Sequence, residues 1–248
     1  MKLVLLSLLL FSTLLQATKI HLAVASNLAF VVPELKKSFE ILHPKITIKT
    51  TLASSGVLTA QIKHGARYGL FLSANMKYPQ YLYEEGLAFD KPKSYAQGAL
   101  ALFSTKKLHC DENLHCLKFK NIRKIALGNP KTAPYGKAAI EALKNALLYE
   151  NVKKKLVFAE SVSQTLSYAL KATDIGIVAS SLFYTPKMKV YKKNIHWIPI
   201  NTSLYEPIEQ GMILLKIKKD KDAYRLFYQF LQSSQAKNIF KRFGYKVL

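Results

Sequence analysis

The sequence predicts an α/β protein built from mostly parallel sheets flanked by helices. Three observations carry that expectation. Short apolar or alternating runs are followed by segments whose apolar residues recur at helical spacing. This alternation holds three times over residues 20–86 and resumes after residue 98. Pro and Gly fall where a helix has to begin or stop. Strand–helix repetition of this kind favours parallel strands joined by helical crossovers.

Residues 20–25 (IHLAVA) predict a buried strand. Leu28, Val31, Val32, Leu35, Phe39 and Leu42 follow at helical spacing. Pro33 fits only in a first helical turn, so the helix is placed from near Phe30 to a stop before Pro44. Residues 46–52 alternate as a strand, and a helix is expected over 56–64, ended by Gly65. A short buried strand over 69–72 precedes a helix over 76–85 that Gly86 closes. The second series reads as strands over 99–103 and 123–127, a helix over 135–148, a strand over 156–159, a helix over 163–171 and a strand over 175–178. Residues 195–200 and 210–216 read as strands. Helices over 222–231 and 235–242 finish the chain before Gly244.

Composition narrows the class. Met1-Lys2, the apolar run Leu3 to Leu15 and the small residue Ala17 form a secretory leader over residues 1–17, with cleavage expected after Ala17. The run is short for a membrane span; an uncleaved tether is the alternative. No Cys follows it to carry a lipid. The remaining 231 residues can bury one or two cores. At 21% charged and 50% hydrophobic the chain is not a disordered one.

The formal charge is +22, and one less, +21, without Lys2 of the leader. The lysines are dispersed, no zinc-finger pattern is present, and export argues against nucleic acid. The charge reads as solvated faces, as weak focusing of anions toward a cleft, or as affinity for a negative membrane or wall surface. Cys110 and Cys116 lie within HCDENLHC. In an exported chain they are a disulfide candidate. With His109 and His115 they are also a zinc candidate, at a spacing that matches no familiar template.

Two serine-bearing turns stand between a strand and a helix: Ala25-Ser26-Asn27 and Ala53-Ser54-Ser55-Gly56. A helix N-terminus offers free N–H groups, and serine adds a neutral donor beside them. Two such turns facing one another would hold a small anion without Lys or Arg. Each serine alone also reads as an ordinary helix cap or turn residue, and Ser54 in particular as a capping or supporting residue.

AVASNL at 23–28, PELKKSFE at 33–40, LASSGVLTAQIKHGA at 52–66 and LFLSA at 70–74 occur in order with GNPKTAPYGKAA at 128–139, AESV at 159–162, DIGIV at 174–178 and SSQAKNIFKRFGY at 233–245. This ordered set resembles the periplasmic molybdate-binding proteins of ABC importers, within the type II solute-binding fold. The resemblance spans the chain after the leader, apart from a divergent stretch near Lys106 to Lys120.

It implies two lobes with a ligand cleft between them: residues 18–97 and 205–248 in the first, 98–204 in the second. It implies an oxyanion held by the Ser26 and Ser55 hydroxyls and by the backbone N–H groups of Tyr135 and Val162, with Asn27 and Ser54 in support. Ala179 stands where the family often has a donating Tyr. The Tyr135 side chain, or less directly Tyr184, is the candidate substitute. Gly69 stands where the family often has Asp. The resemblance further implies a monomer that delivers its ligand to an inner-membrane ABC permease, with no cofactor, no resident metal, no catalytic residue and no nucleic-acid partner.

A site built only of donors should prefer a fully deprotonated tetrahedral dianion. Molybdate and tungstate are nearly alike in radius, whereas sulfate and phosphate are smaller. Phosphate can also carry a proton, which a donor-only site leaves without an acceptor. Enzyme readings fare poorly: there is no GxSxG elbow, no HExxH and no GxGxxG after the first strand. The competing readings are a type II binding protein for another small oxyanion or a carboxylate, and a basic surface protein without a cleft ligand.

Overall fold

The computed structural model describes residues 17–217 and 219–247. Apart from Ala17, the leader lies outside them. The chain enters with β1 (Thr18–Ala25), α1 (Val32–Leu42), β2 (Ile46–Ala53), α2 (Ser55–Lys63), β3 (Leu70–Ser73), α3 (Lys77–Glu84) and β4 (Lys93–Gly98). It continues through β5 (Leu100–Phe103), β6 (Ile125–Gly128), α4 (Pro134–Asn145), α5 (Tyr149–Val152), β7 (Leu156–Ala159), α6 (Val162–Lys171), β8 (Ile175–Ala179) and β9 (Trp197–Pro199). It closes with β10 (Ile208–Leu214), α7 (Lys221–Phe230) and α8 (Ser234–Arg242).

Two five-stranded sheets result, ordered β2-β1-β3-β10-β4 and β7-β6-β8-β5-β9. The expectation of mostly parallel sheets is corrected: both are mixed. β1 runs parallel to β2 and β3, and β6 runs parallel to β7 and β8. β10 is antiparallel to β3 and β4, and β5 to β8 and β9. The reason is topological. Strands joined by a helical crossover come back parallel. β4, β5 and β10 instead adjoin the passages between the sheets, and no helical crossover within one sheet fixes their direction.

Period-two alternation builds the first sheet's two faces. Leu22, Val24, Leu70 and Leu72 pack with Leu35 and Phe39 of α1, Phe227 and Phe230 of α7, and Phe240 of α8. Ala23, Phe71 and Ile213 face the other way, onto Leu58 and Ile62 of α2 and Leu82 of α3. Pro33 sits in the first turn of α1. The helix starts two residues later than expected because a 3-10 turn, Ser26–Leu28, comes first. Gly65 and Gly86 end α2 and α3 with φ of +84° and +71°, the left-handed step that glycine makes without strain. The helix expected to run to residue 148 ends at Asn145, and Leu147 then takes φ +56°.

Gly69 makes room for Tyr224: a Cβ there would come within 2.4 Å of its ring, and the Tyr224 hydroxyl receives a bond from His21 N at 2.9 Å. Trp197 packs in the second sheet's core, stacked on Phe183 at 4.8 Å. Cys110 and Cys116 are joined by a disulfide. Both thiols are therefore consumed, which removes the zinc alternative at His109 and His115. Among the described residues no group of three or more His, Cys, Asp and Glu is placed to hold a metal ion.

Candidate functional site

Five strands that run parallel within the two sheets end at one cavity. Ala25, Ser26 and Asn27 follow β1, and Ser54 and Ser55 follow β2. Ala74 follows β3, Ala133, Pro134 and Tyr135 follow β6, and Val162 follows β7. In open α/β sheets the crevice beyond the carboxyl ends of the strands is where ligands bind. Room for the centre of a water-sized sphere amounts to ≈ 10 Å³, against the roughly 10–15 Å³ that one water needs. The space has the scale of one small species, not of a sugar or an amino acid. A larger groove of ≈ 610 Å³ shares Ser26 and is lined mainly by apolar side chains, among them Phe30, Leu52, Leu166 and Met188. Its polar lining is Ser26, Ser161, Ser163, Ser167, Lys187 and Tyr191, and it includes no residue from the starts of α2 and α4.

Helix starts supply those donors. Ser55 is the first residue of α2, Tyr135 the second of α4 and Val162 the first of α6. First-turn N–H groups have no partner within their own helix, and three helices of this length add partial positive charge at their N-termini. No Lys, Arg, His, Asp or Glu lines the cavity, so whatever binds meets dipoles and hydroxyls.

The serines are not equivalent. Ser55 is fully buried, and its Oγ accepts a hydrogen bond from Ala74 N at 2.9 Å. With that lone pair occupied, its proton is free to be donated. Ser26 begins the 3-10 turn instead of an α-helix, so the macrodipole behind it is weaker than expected. Ser54 precedes α2 but makes no capping bond, contrary to the capping role read from its position. Its buried Oγ has no hydrogen-bond partner.

Asn27 lines the cavity and ties it to the structure behind. Gln210 Nε2 donates to Ile208 O at 2.9 Å and to Ala74 O at 3.4 Å. That orientation leaves Gln210 Oε1 to accept from Asn27 Nδ2 at 2.9 Å, and Asn27 Nδ2 also donates to the Tyr245 hydroxyl at 2.9 Å. Tyr245 donates in turn to Asn27 O at 3.1 Å. This network ties the Ser26 turn to β10 and to the C-terminal segment. Gln210 went unnoticed in the sequence; its only signal is a polar residue inside the apolar strand β10.

Tyr135 divides its parts. Its backbone opens α4 at the cavity. Its side chain lies against Gly98, where an added Cβ would fall 1.9 Å from the hydroxyl, with Gln210 Nε2 beside it. The phenol thus sits at the passage from β4 to β5. Burial pushes the Tyr135 phenol up and that of Tyr245 to about 12, so both stay neutral. Ala179 is buried at the end of β8 and does not line the cavity, and Tyr184 is 45% exposed, against Gly244. The structure does not bring these two to the site.

The two halves are in contact around the cavity. Ser163 Oγ donates to Ser26 O at 3.0 Å, Gly56 N to Thr132 O at 2.9 Å and Ser181 Oγ to Asn27 O at 3.4 Å. The Tyr78 hydroxyl reaches Lys131 O at 3.3 Å.

Two sheets closed over a small donor-lined cavity define a solute-binding protein, a class that captures and does not transform. The chain belongs to the bacterial extracellular solute-binding protein family, whose description matches residues 20–246, and it is a transport protein, not an enzyme. It is 32% identical over 235 residues to the molybdate-binding protein ModA of Azotobacter vinelandii, covering 93% of this chain and 90% of the relative. It is 32% identical over 201 residues to the molybdate-binding protein ModA of Rhodobacter capsulatus, covering 80% and 77%. The solved structure of the periplasmic molybdate-binding protein of Azotobacter vinelandii superposes with a TM-score of 0.85 at 29% identity, covering 92% of this chain and 99% of that one. The sulfate-binding protein SubI of Mycobacterium tuberculosis shares the fold, with a TM-score of 0.75 at 13% identity.

Proposed function

We propose that the protein binds molybdate, and tungstate with it, in the periplasm and delivers it to a membrane ABC permease. One observation carries this reading: a cavity the size of a single small species, reached by three helix N-termini and three serines, with no charged side chain in its wall. A carboxylate receptor would be expected to present an Arg clamp, and this wall has none. The relatives named for molybdate support the choice of oxyanion. In this reading Ser26 and Ser55 donate from their hydroxyls and Tyr135 and Val162 from their backbone N–H groups. Asn27 braces the first turn.

The lobes are residues 18–97 with 205–248, and residues 98–204. The protein acts as a monomer that closes over its ligand and is released from its leader after Ala17. Binding to the folded state alone raises thermal stability by mass action. A thermal-shift panel on ligand-stripped protein therefore tests the class: molybdate and tungstate are expected to raise Tm, and sulfate, phosphate and citrate to leave it unchanged. A rise with citrate alone would replace the oxyanion reading with the carboxylate one.

A further inference from the structure

Ser54 has the position of a helix N-cap but not its bond. In such a cap the serine oxygen accepts from an N–H two or three residues on. Ser161 does so for Gln164 and Ser233 for Ala236, whereas Ser54 accepts from none. Its backbone follows the cap pattern, with φ −68° and ψ 152° and its carbonyl accepting from Leu58 N at 3.0 Å. The side chain alone is turned away. The residue is 4% exposed and lines the cavity, and its Oγ is buried with no partner. A buried hydroxyl is nearly always hydrogen-bonded. The second serine of the turn does not supply the bond: the Ser55 oxygen accepts from Ala74 N and makes no hydrogen bond to Ser54.

We infer that Ser54 Oγ is a direct donor to the bound tetrahedral oxyanion, beside the Ser55 hydroxyl. The inference rests on the oxyanion reading above. It assigns the α2 turn two hydroxyl donors, so that the turn grips two edges of the ion or two of its oxygens. A cap is then forgone at α2 because the ligand is the partner for that hydroxyl.

The test compares Ser54→Ala with Ser233→Ala, a serine that does cap its helix and lies in α8's entry, away from the cavity. Molybdate Kd is measured by calorimetry and Tm on ligand-free protein. Ser54→Ala is expected to weaken molybdate roughly 10- to 100-fold, the range for a hydrogen bond to a charged group, with ligand-free Tm unchanged or raised. Ser233→Ala is expected to do the reverse, lowering Tm and leaving Kd alone. A Ser54→Ala Kd within about twofold of wild type, or a fall in affinity matched by a loss of ligand-free Tm like that of Ser233→Ala, overturns the inference and leaves the oxyanion reading intact. Absence of saturable molybdate binding in the wild type overturns that reading, and this inference with it.

Discussion

The two walls of the cavity are built from different material. The first-sheet wall offers side chains: Ser26, Ser54 and Ser55. The second-sheet wall offers backbone: the N–H groups that open α4 and α6 at Tyr135 and Val162. A hydroxyl can be removed by one substitution and recognised in a sequence. A backbone donor has no residue type, and any non-proline residue supplies it. In the proposed reading an alanine scan would therefore place the whole site on one wall, although both walls supply donors.

The largest effect that would sharpen this contrast belongs to Ser55→Ala. It removes a donor to a charged ligand, worth roughly 1.5–3 kcal/mol, and leaves Ala74 N–H buried without its acceptor, at roughly 1–3 kcal/mol. Calorimetry should show molybdate affinity falling roughly 10- to 150-fold from the lost donor, while the stranded Ala74 N–H shows as a lower ligand-free Tm. Wild-type affinity would take Ser55 out of the site.

Next comes Val162→Pro. Proline is tolerated at the first position of a helix, and Ser161 already has the extended φ −151° and ψ 164° that a following proline demands. The change deletes one N–H and little else, so a loss of roughly 10- to 100-fold is expected, while Val162→Ala changes affinity only a few-fold. Equal effects from the two variants would mean that the side chain, not the amide, is what binds.

Gly56→Ala probes the seam between the walls. A Cβ there would meet the Tyr78 hydroxyl at 2.8 Å and the Thr132 backbone at 2.9 Å. Overpacking of this kind costs roughly 1–3 kcal/mol. Only the Thr132 clash depends on the halves meeting; Tyr78 belongs to the same half as Gly56, and its hydroxyl is the far end of a side chain that can swing aside. The change should appear as weaker binding and a more open particle in small-angle scattering, with at most a modest fall in ligand-free Tm. Unaltered affinity would mean that closure does not need this contact.

The smallest effect on binding is expected from reducing the Cys110–Cys116 disulfide. Its neighbours Arg123, Asp174 and Ile175 lie at the entry of β6 and β8, the end opposite the cavity. Loss of a loop this short costs about 2 kcal/mol of stability in the chain-entropy account. Tm should drop under reductant while molybdate Kd stays put, and a shift in Kd would connect the loop to the site.

The same contrast between walls decides what the sequence revealed. The serine turns were legible because Ser beside a strand end and Gly is a local signal. Val162 and Tyr135 were legible only through the family resemblance, since nothing about Val or Tyr marks an exposed amide. β4, with the sequence KSYAQG, was missed because it has neither an apolar run nor a clean alternation. The antiparallel strands escaped for a related reason: strand direction depends on where the chain crosses between sheets, and periodicity carries no record of that. The absence of a cap bond at Ser54 and the approach of the Tyr135 phenol to Gly98 depend on neighbours distant in the chain.

Neutral donors from both walls are expected to select a tetrahedral dianion by size. Calorimetric titration of ligand-stripped protein with molybdate, and separately with sulfate, tests it most directly. Saturable one-to-one binding of molybdate with sulfate silent is the predicted result. Equal affinity for sulfate, or no heat with molybdate, would contradict it.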